Sequence, residues 1–132
     1  MPLARISLNR GKTPEYLQRL AQGVHEALVA AFEVPATDRF QVIHQHDAGE
    51  LIVDAQYLGG PRSANFVLIA ITAGRTRSVE VTQGFYQALV AGLHEVLGID
   101  PEDVMVIITT TAAHEWSFAG GRVNPAVKAL AS

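Results

Sequence analysis

The stretches "GVHEAL" at 23–28 and "GLHEVL" at 92–97 are nearly the same six residues, and they decide the fold. Each lies inside a helical pattern. Leu17, Leu20, Ala21, Val24, Leu28 and Ala31 recur at spacings of three and four, and Phe85, Leu89, Leu93 and Val96 do the same. Working outward, Thr13-Pro14-Glu15 supplies a cap, a first-turn proline and an acid on the positive end of the helix dipole, and Ser78-Val79-Glu80 opens the second helix in a similar way. After each helix, Val34-Pro35-Ala36-Thr37-Asp38 is echoed by Ile99-Asp100-Pro101-Glu102-Asp103, each leading into a β-rich run. Strands are predicted at Leu3–Leu8, Phe40–His46, Asn65–Thr72 and Val104–Thr110. The order strand–helix–strand is thus written twice, which predicts an internally duplicated βαβ unit with right-handed crossovers. The fold class is α/β (α+β by some schemes): a four-stranded sheet with two helices on one face, plus a C-terminal hairpin around His114–Gly121. One domain spans 1–132, its halves running over about 2–62 and 63–125.

Phe66–Ile71 and Val104–Ile108 are continuous apolar runs of the kind found in strands buried on both faces. Two helices cover one face only, so the other is expected to meet further copies of the chain in an obligate homo-oligomer. A hydrophobic fraction of 48% fits that demand. No apolar run approaches the roughly 18–20 residues of a membrane span, and neither a signal peptide nor a membrane partner is expected. A net charge of −3 gives no basic footprint for nucleic acid. The absence of cysteine excludes disulfides and thiolate chemistry and fits a cytoplasmic protein.

Pro2 is the first candidate for chemistry. Proline suits the first position of a strand, where no ladder donor is lost. It also follows an initiator Met1 that is readily trimmed before a small residue, which exposes a secondary amine. An α-amine titrates near ~7.7–8, so it can act at neutral pH as acid, base or nucleophile. With Met1 retained the Pro2 nitrogen is an amide and has none of these roles. Arg75 and Arg77, between the third strand and the Ser78 cap, concentrate positive charge where anions bind, and are read as a carboxylate clamp. Asp38 is either a capping carboxylate, like its twin Asp103, or a partner of Pro2 if parallel pairing of neighbouring strands brings the two together. Trp116 and Phe118, in "HEWSFAGG" at 114–121, supply an aromatic anchor or the apolar wall of a small pocket. His44 and His46 share a strand face but lack further ligands at metal-binding spacing, so no metal is expected. His25 and His94 are read as surface or boundary residues.

The combination of Pro2, the "DRFQVIHQH" run from Asp38, Arg75-Thr76-Arg77, "DVMV" at 103–106 and Trp116-Ser117-Phe118 resembles the tautomerase superfamily, most closely the malonate semialdehyde decarboxylases. The resemblance extends through nearly the whole chain. It implies a tautomerase-like homotrimer with no metal or organic cofactor. It also implies Pro2 as catalytic amine, Asp38 as its polar partner, Arg75 and Arg77 on the substrate carboxylate, and Trp116 and Phe118 as wall. Ala119-Gly120-Gly121 lacks the family's aromatic and Glu115 is longer than the usual acid; both departures fall in the pocket-closing segment. The implied activity is decarboxylation of a 3-oxo acid to an aldehyde and carbon dioxide, with hydration as a side activity. The alternatives are a keto–enol tautomerase acting on pyruvate-type acids, a 3-haloacrylate hydratase or dehalogenase, and a non-catalytic oligomeric binding protein.

Overall fold

The computed structural model describes residues 1–127, in which the order strand–helix–strand occurs twice. β1 (Pro2–Asn9), α1 (Pro14–Ala31) and β2 (Phe40–His46) are followed by β3 (Val67–Ala73), α2 (Val79–Leu97) and β4 (Val104–Thr110). β2 and β4 keep the expected limits. β3 begins later than expected because the Phe66 N–H donates to the Ser63 carbonyl in a turn, 3.2 Å. The helix starts are as read: the Thr13 hydroxyl accepts the Tyr16 N–H at 3.1 Å, and the Ser78 hydroxyl accepts the Val81 N–H at 3.2 Å.

The duplication holds, but in a different phase from the one the repeated hexapeptide suggests. The caps Thr13 and Ser78 correspond, as do the buried positions Leu20 and Phe85, Val24 and Leu89, Leu28 and Leu93, and the residues Val34 and Ile99 beyond the helices. In that alignment "GLHEVL" sits about one turn later in α2 than "GVHEAL" does in α1. A slip of one turn, ~3.6 residues, leaves the apolar face in place, so periodicity alone does not detect it.

The sheet order is β2-β1-β3-β4. β1 is parallel to β2, with Leu3 opposite Phe40, and β3 is parallel to β4, with Ala73 opposite Thr110. The two central strands are antiparallel, with Pro2 opposite Ala73. One end of the sheet therefore collects the starts of β1 and β2 and the finishes of β3 and β4. Because α1 runs back along the sheet, its C-terminus returns to that end as well.

The helices bury Ala4, Ile6 and Leu8 of β1 and Val67, Ile69 and Ile71 of β3 against their own apolar stripes, with the Phe32 and Phe85 rings tilted against each other, centroids 5.0 Å apart. On the uncovered face Phe40, Val42, Met105 and Ile107 are exposed. Among the described residues no helix is long and apolar enough to cross a membrane.

The long connection between β2 and β3 is pinned by buried Asp103, whose carboxylate accepts the Ser63 N–H and hydroxyl, both at 2.6 Å. The C-terminal hairpin forms as a chain reversal without strand pairing. A short helical turn at Ala113–Glu115 leads into Trp116–Phe118, and the Asn124 N–H closes the loop on the Trp116 carbonyl at 2.9 Å. Buried Asn124 also donates its amide to the Ala113 carbonyl at 3.2 Å, which fixes the segment where a ladder does not.

Candidate active site

The start of the chain lies where the strand ends converge. Pro2 is buried between β2 and β3, and the Met1 amine is 3.7 Å from Asp38 Oδ2. Parallel pairing of β1 with β2 sets this contact, which is made by Met1 rather than by the Pro2 nitrogen of the sequence reading. Asp38 and Asp103 occupy equivalent places in the two halves but different surroundings. Asp103 is buried and bonded to Ser63, whereas the Asp38 carboxylate is half-buried and faces the chain terminus. The Asp38 loop is braced by its own N–H on the Pro35 carbonyl, 3.0 Å, and by His25, whose Nε2 lies 3.0 Å from the Ala36 carbonyl. His25 is thus a buried brace rather than a boundary residue; a carbonyl accepts only, so Nε2 carries the proton.

Arg75 and Arg77 follow β3 to the same end, and two residues that sequence reasoning missed hold them there. Arg77 donates from Nε to the Phe32 carbonyl at 3.1 Å and from its terminal nitrogen to the Arg75 carbonyl at 3.0 Å. Its guanidinium also lies over the Phe32 ring, 4.3 Å from the centroid. Burial, with Arg75 acting in the same direction, lowers the Arg77 pKa from its ordinary value, against the opposing charge of Glu33. Arg75 points its guanidinium at Glu33 instead, with Nη2 2.9 Å from Oε1. The two arginines read as a clamp are held differently: Arg75 has a carboxylate partner, while Arg77 has none among the described residues. The available signal was the C-terminus of α1, whose last carbonyls attract cations.

Trp116 is fixed by a relay back to the sheet. Its indole N–H donates to the Thr111 hydroxyl at 2.6 Å, which donates to the Ala73 carbonyl at 3.0 Å, opposite Pro2. Trp116 stacks on Phe118 at 5.6 Å, and Phe118 on Phe40 at 6.4 Å. Phe40, two residues after Asp38, extends the wall beyond the two aromatics expected. Gly74 lies under this wall: a Cβ there would come within 3.7 Å of the Trp116 indole nitrogen and 3.9 Å of the Met1 carbonyl. Arg10, His46 and Asp47 line a concavity at the opposite end of the sheet, away from these groups.

An amine, a carboxylate, two guanidiniums and an aromatic wall thus share one corner. The environment there lowers the Met1 amine's pKa from its ordinary 8.0: burial acts most, Arg77 and Arg75 push the same way, and Asp38 opposes them. The Met1 amine is thereby drawn toward its neutral form. Arg77 is the guanidinium there without an ion-pair partner among the described residues.

Comparison with known proteins agrees with this layout. A family model described as a tautomerase enzyme matches residues 38–119, and a second of the same description matches residues 2–60. Two proteins of Bacillus subtilis (strain 168), probable tautomerases YrdN and YusQ, are 35% and 31% identical over 124 residues. That is 94% of this chain and 95% and 98% of theirs. The chain is also similar to a solved malonate semialdehyde decarboxylase, analysed as a basis for decarboxylase and hydratase activities. The two share 38% identity over 91% of this chain and 92% of that one, with a TM-score of 0.86. A second such decarboxylase, inhibited by 3-bromopropiolate, is 35% identical over 91% of both chains with a TM-score of 0.84. The paired βαβ units, the mixed sheet and these matches at both ends of the sequence lead to one assignment: the chain belongs to the tautomerase superfamily.

Proposed function

We propose that the protein is a cofactor-independent decarboxylase of a 3-oxo acid, with malonate semialdehyde as substrate and acetaldehyde and carbon dioxide as products. The observation that carries this reading is the meeting of the chain's amine with Asp38, Arg75 and Arg77 at one sheet corner. Removal of Met1 would replace the primary amine seen there by the secondary amine of Pro2, about 3.8 Å further along the chain. The resemblance to malonate semialdehyde decarboxylases supplies the substrate class.

In the mechanism that fits the lowered amine pKa, Arg77 and Arg75 hold the carboxylate with its breaking C–C bond perpendicular to the carbonyl plane. Neutral Pro2 attacks the aldehyde carbon, and loss of water gives an iminium. The C–C bonding pair then flows into the iminium as carbon dioxide leaves, which produces an enamine. Protonation at carbon and hydrolysis release acetaldehyde and return the amine. Trp116, Phe118 and Phe40 shield the iminium from water. Homotrimer assembly in the cytoplasm belongs to the same reading, with the exposed sheet face as the contact surface.

Intact-mass analysis after borohydride treatment with malonate semialdehyde tests it. A processed chain carrying a reduced adduct on its N-terminal peptide is expected, and Pro2→Ala should lose about 10²-fold or more in turnover while remaining folded. A Met1-bearing protein, or wild-type turnover in Pro2→Ala, would sink the reading. A second reading, a keto–enol tautomerase with neutral Pro2 moving the proton, is favoured by the same lowered amine pKa and by the relatives described as probable tautomerases. Turnover of a pyruvate-type enol without carbon dioxide release would decide for it.

A further inference from the structure

α1 ends with the Val34 N–H on the Leu28 carbonyl at 3.3 Å, a closure that needs one residue in the left-handed conformation. That residue is Glu33, with φ 59°. In the other half of the fold Gly98 holds the equivalent place with φ 67°, as expected of a position where a side chain is strained. Glycine serves at one helix end and glutamate at the other, and the glutamate is the one beside the arginine pair. Its carboxylate is 2.9 Å from the Arg75 guanidinium, while the preceding Phe32 carbonyl and ring hold Arg77.

We propose that Glu33 is a built-in competitor for the substrate's carboxylate: it pairs with Arg75 and must yield when a carboxylate binds, so residue 33 sets how tightly the site holds its acid. The inference rests on the carboxylate-binding reading above. It also answers a difficulty in that reading. A doubly charged clamp stabilises a carboxylate in the ground state and so opposes its departure as neutral carbon dioxide. Displacing Glu33 from Arg75 uses up part of the clamp's attraction, so the carboxylate is held less tightly in the ground state, where tight holding would otherwise slow the reaction.

The test is calorimetric titration of the processed protein with malonate, an unreactive acid, at constant ionic strength. Glu33→Gln and Glu33→Gly should each bind malonate ~2–5-fold more tightly, the size of a lost exposed ion pair. Glu33→Gly also relaxes the backbone, so its melting temperature should not fall. In an Arg75→Gln background the effect of Glu33→Gln should vanish. With malonate semialdehyde, KM and kcat should fall together in Glu33→Gln, a split that a purely structural glutamate would not produce. Unchanged or weaker malonate binding in both variants, with wild-type binding intact, overturns the proposal alone. If wild-type binds no malonate, or Arg77→Gln leaves its binding unaltered, the carboxylate pocket itself fails and the proposal with it.

Discussion

Asp38 and Asp103 show how one residue type takes two roles in a duplicated chain. Asp103 spends both oxygens on Ser63, whereas Asp38 keeps its carboxylate directed at the amine. The consequence for pH dependence has a definite sign. Burial and the two arginines lower the amine's pKa, and Asp38 raises it. If Pro2, freed by removal of Met1, meets the same influences as the Met1 amine and reacts as the neutral amine, kcat/KM rises with pH and its acid limb lies below the ordinary α-amine range of roughly 7.7–8.0. Asp38→Asn removes the raising influence, so its acid limb should move to lower pH. A rate that falls with rising pH over this interval would instead require the ammonium form. At this scale the sequence singled out Pro2, Asp38, Arg75, Arg77, Trp116 and Phe118 by residue type and by family resemblance, and left open whether Asp38 comes near the chain start. It concealed Phe32, Glu33 and Phe40, because a core phenylalanine, a post-helix glutamate and a strand-opening aromatic look ordinary until the topology sets them beside the arginines.

The helices and strands were legible because their apolar spacing is strong and their caps are conventional. Phase was not, because GVHEAL and GLHEVL match after a one-turn slip that keeps most of the apolar stripe near the same face, Val96 being exposed where its match Ala27 is buried. The two glycines of those stretches therefore differ in circumstance. A Cβ on Gly23 would lie 2.8 Å from Leu93 Cδ2, and Leu93 is fully buried, so α1 and α2 approach closely there. A Cβ on Gly92 would meet nothing within 4 Å. Gly92→Ala should therefore stabilise the fold by about 0.5–1 kcal/mol through helix propensity. Gly23→Ala should lose that gain and cost about 1–3 kcal/mol through overpacking. Denaturant midpoints of the two variants check this, and equal shifts would contradict the close approach. The antiparallel pairing of β1 with β3 was also invisible in the sequence: βαβ patterning dictates that β2 lies beside β1 and β4 beside β3, but not how the two halves join.

For the molecule as a whole, the apolar runs in β3 and β4 forecast an uncovered sheet face, and Val42, Met105 and Ile107 are exposed on it. If this face joins subunits, Ile107→Lys should shift the protein from trimer to smaller species in sedimentation, while the wild type stays associated at micromolar concentration. A wild type that sediments as a single chain would refute the assembly. The mixed sheet has one more consequence. Its two halves are related by an approximate twofold, so the far end repeats the near end's arrangement, with Asp103 in place of Asp38 and Arg10 in place of Arg75. There, however, the backbone runs on unbroken through Phe66, and no chain terminus lies there. Fusing two βαβ units therefore leaves one chain terminus for every two frameworks. At the far end the aspartate is committed to structure, its carboxylate held by Ser63.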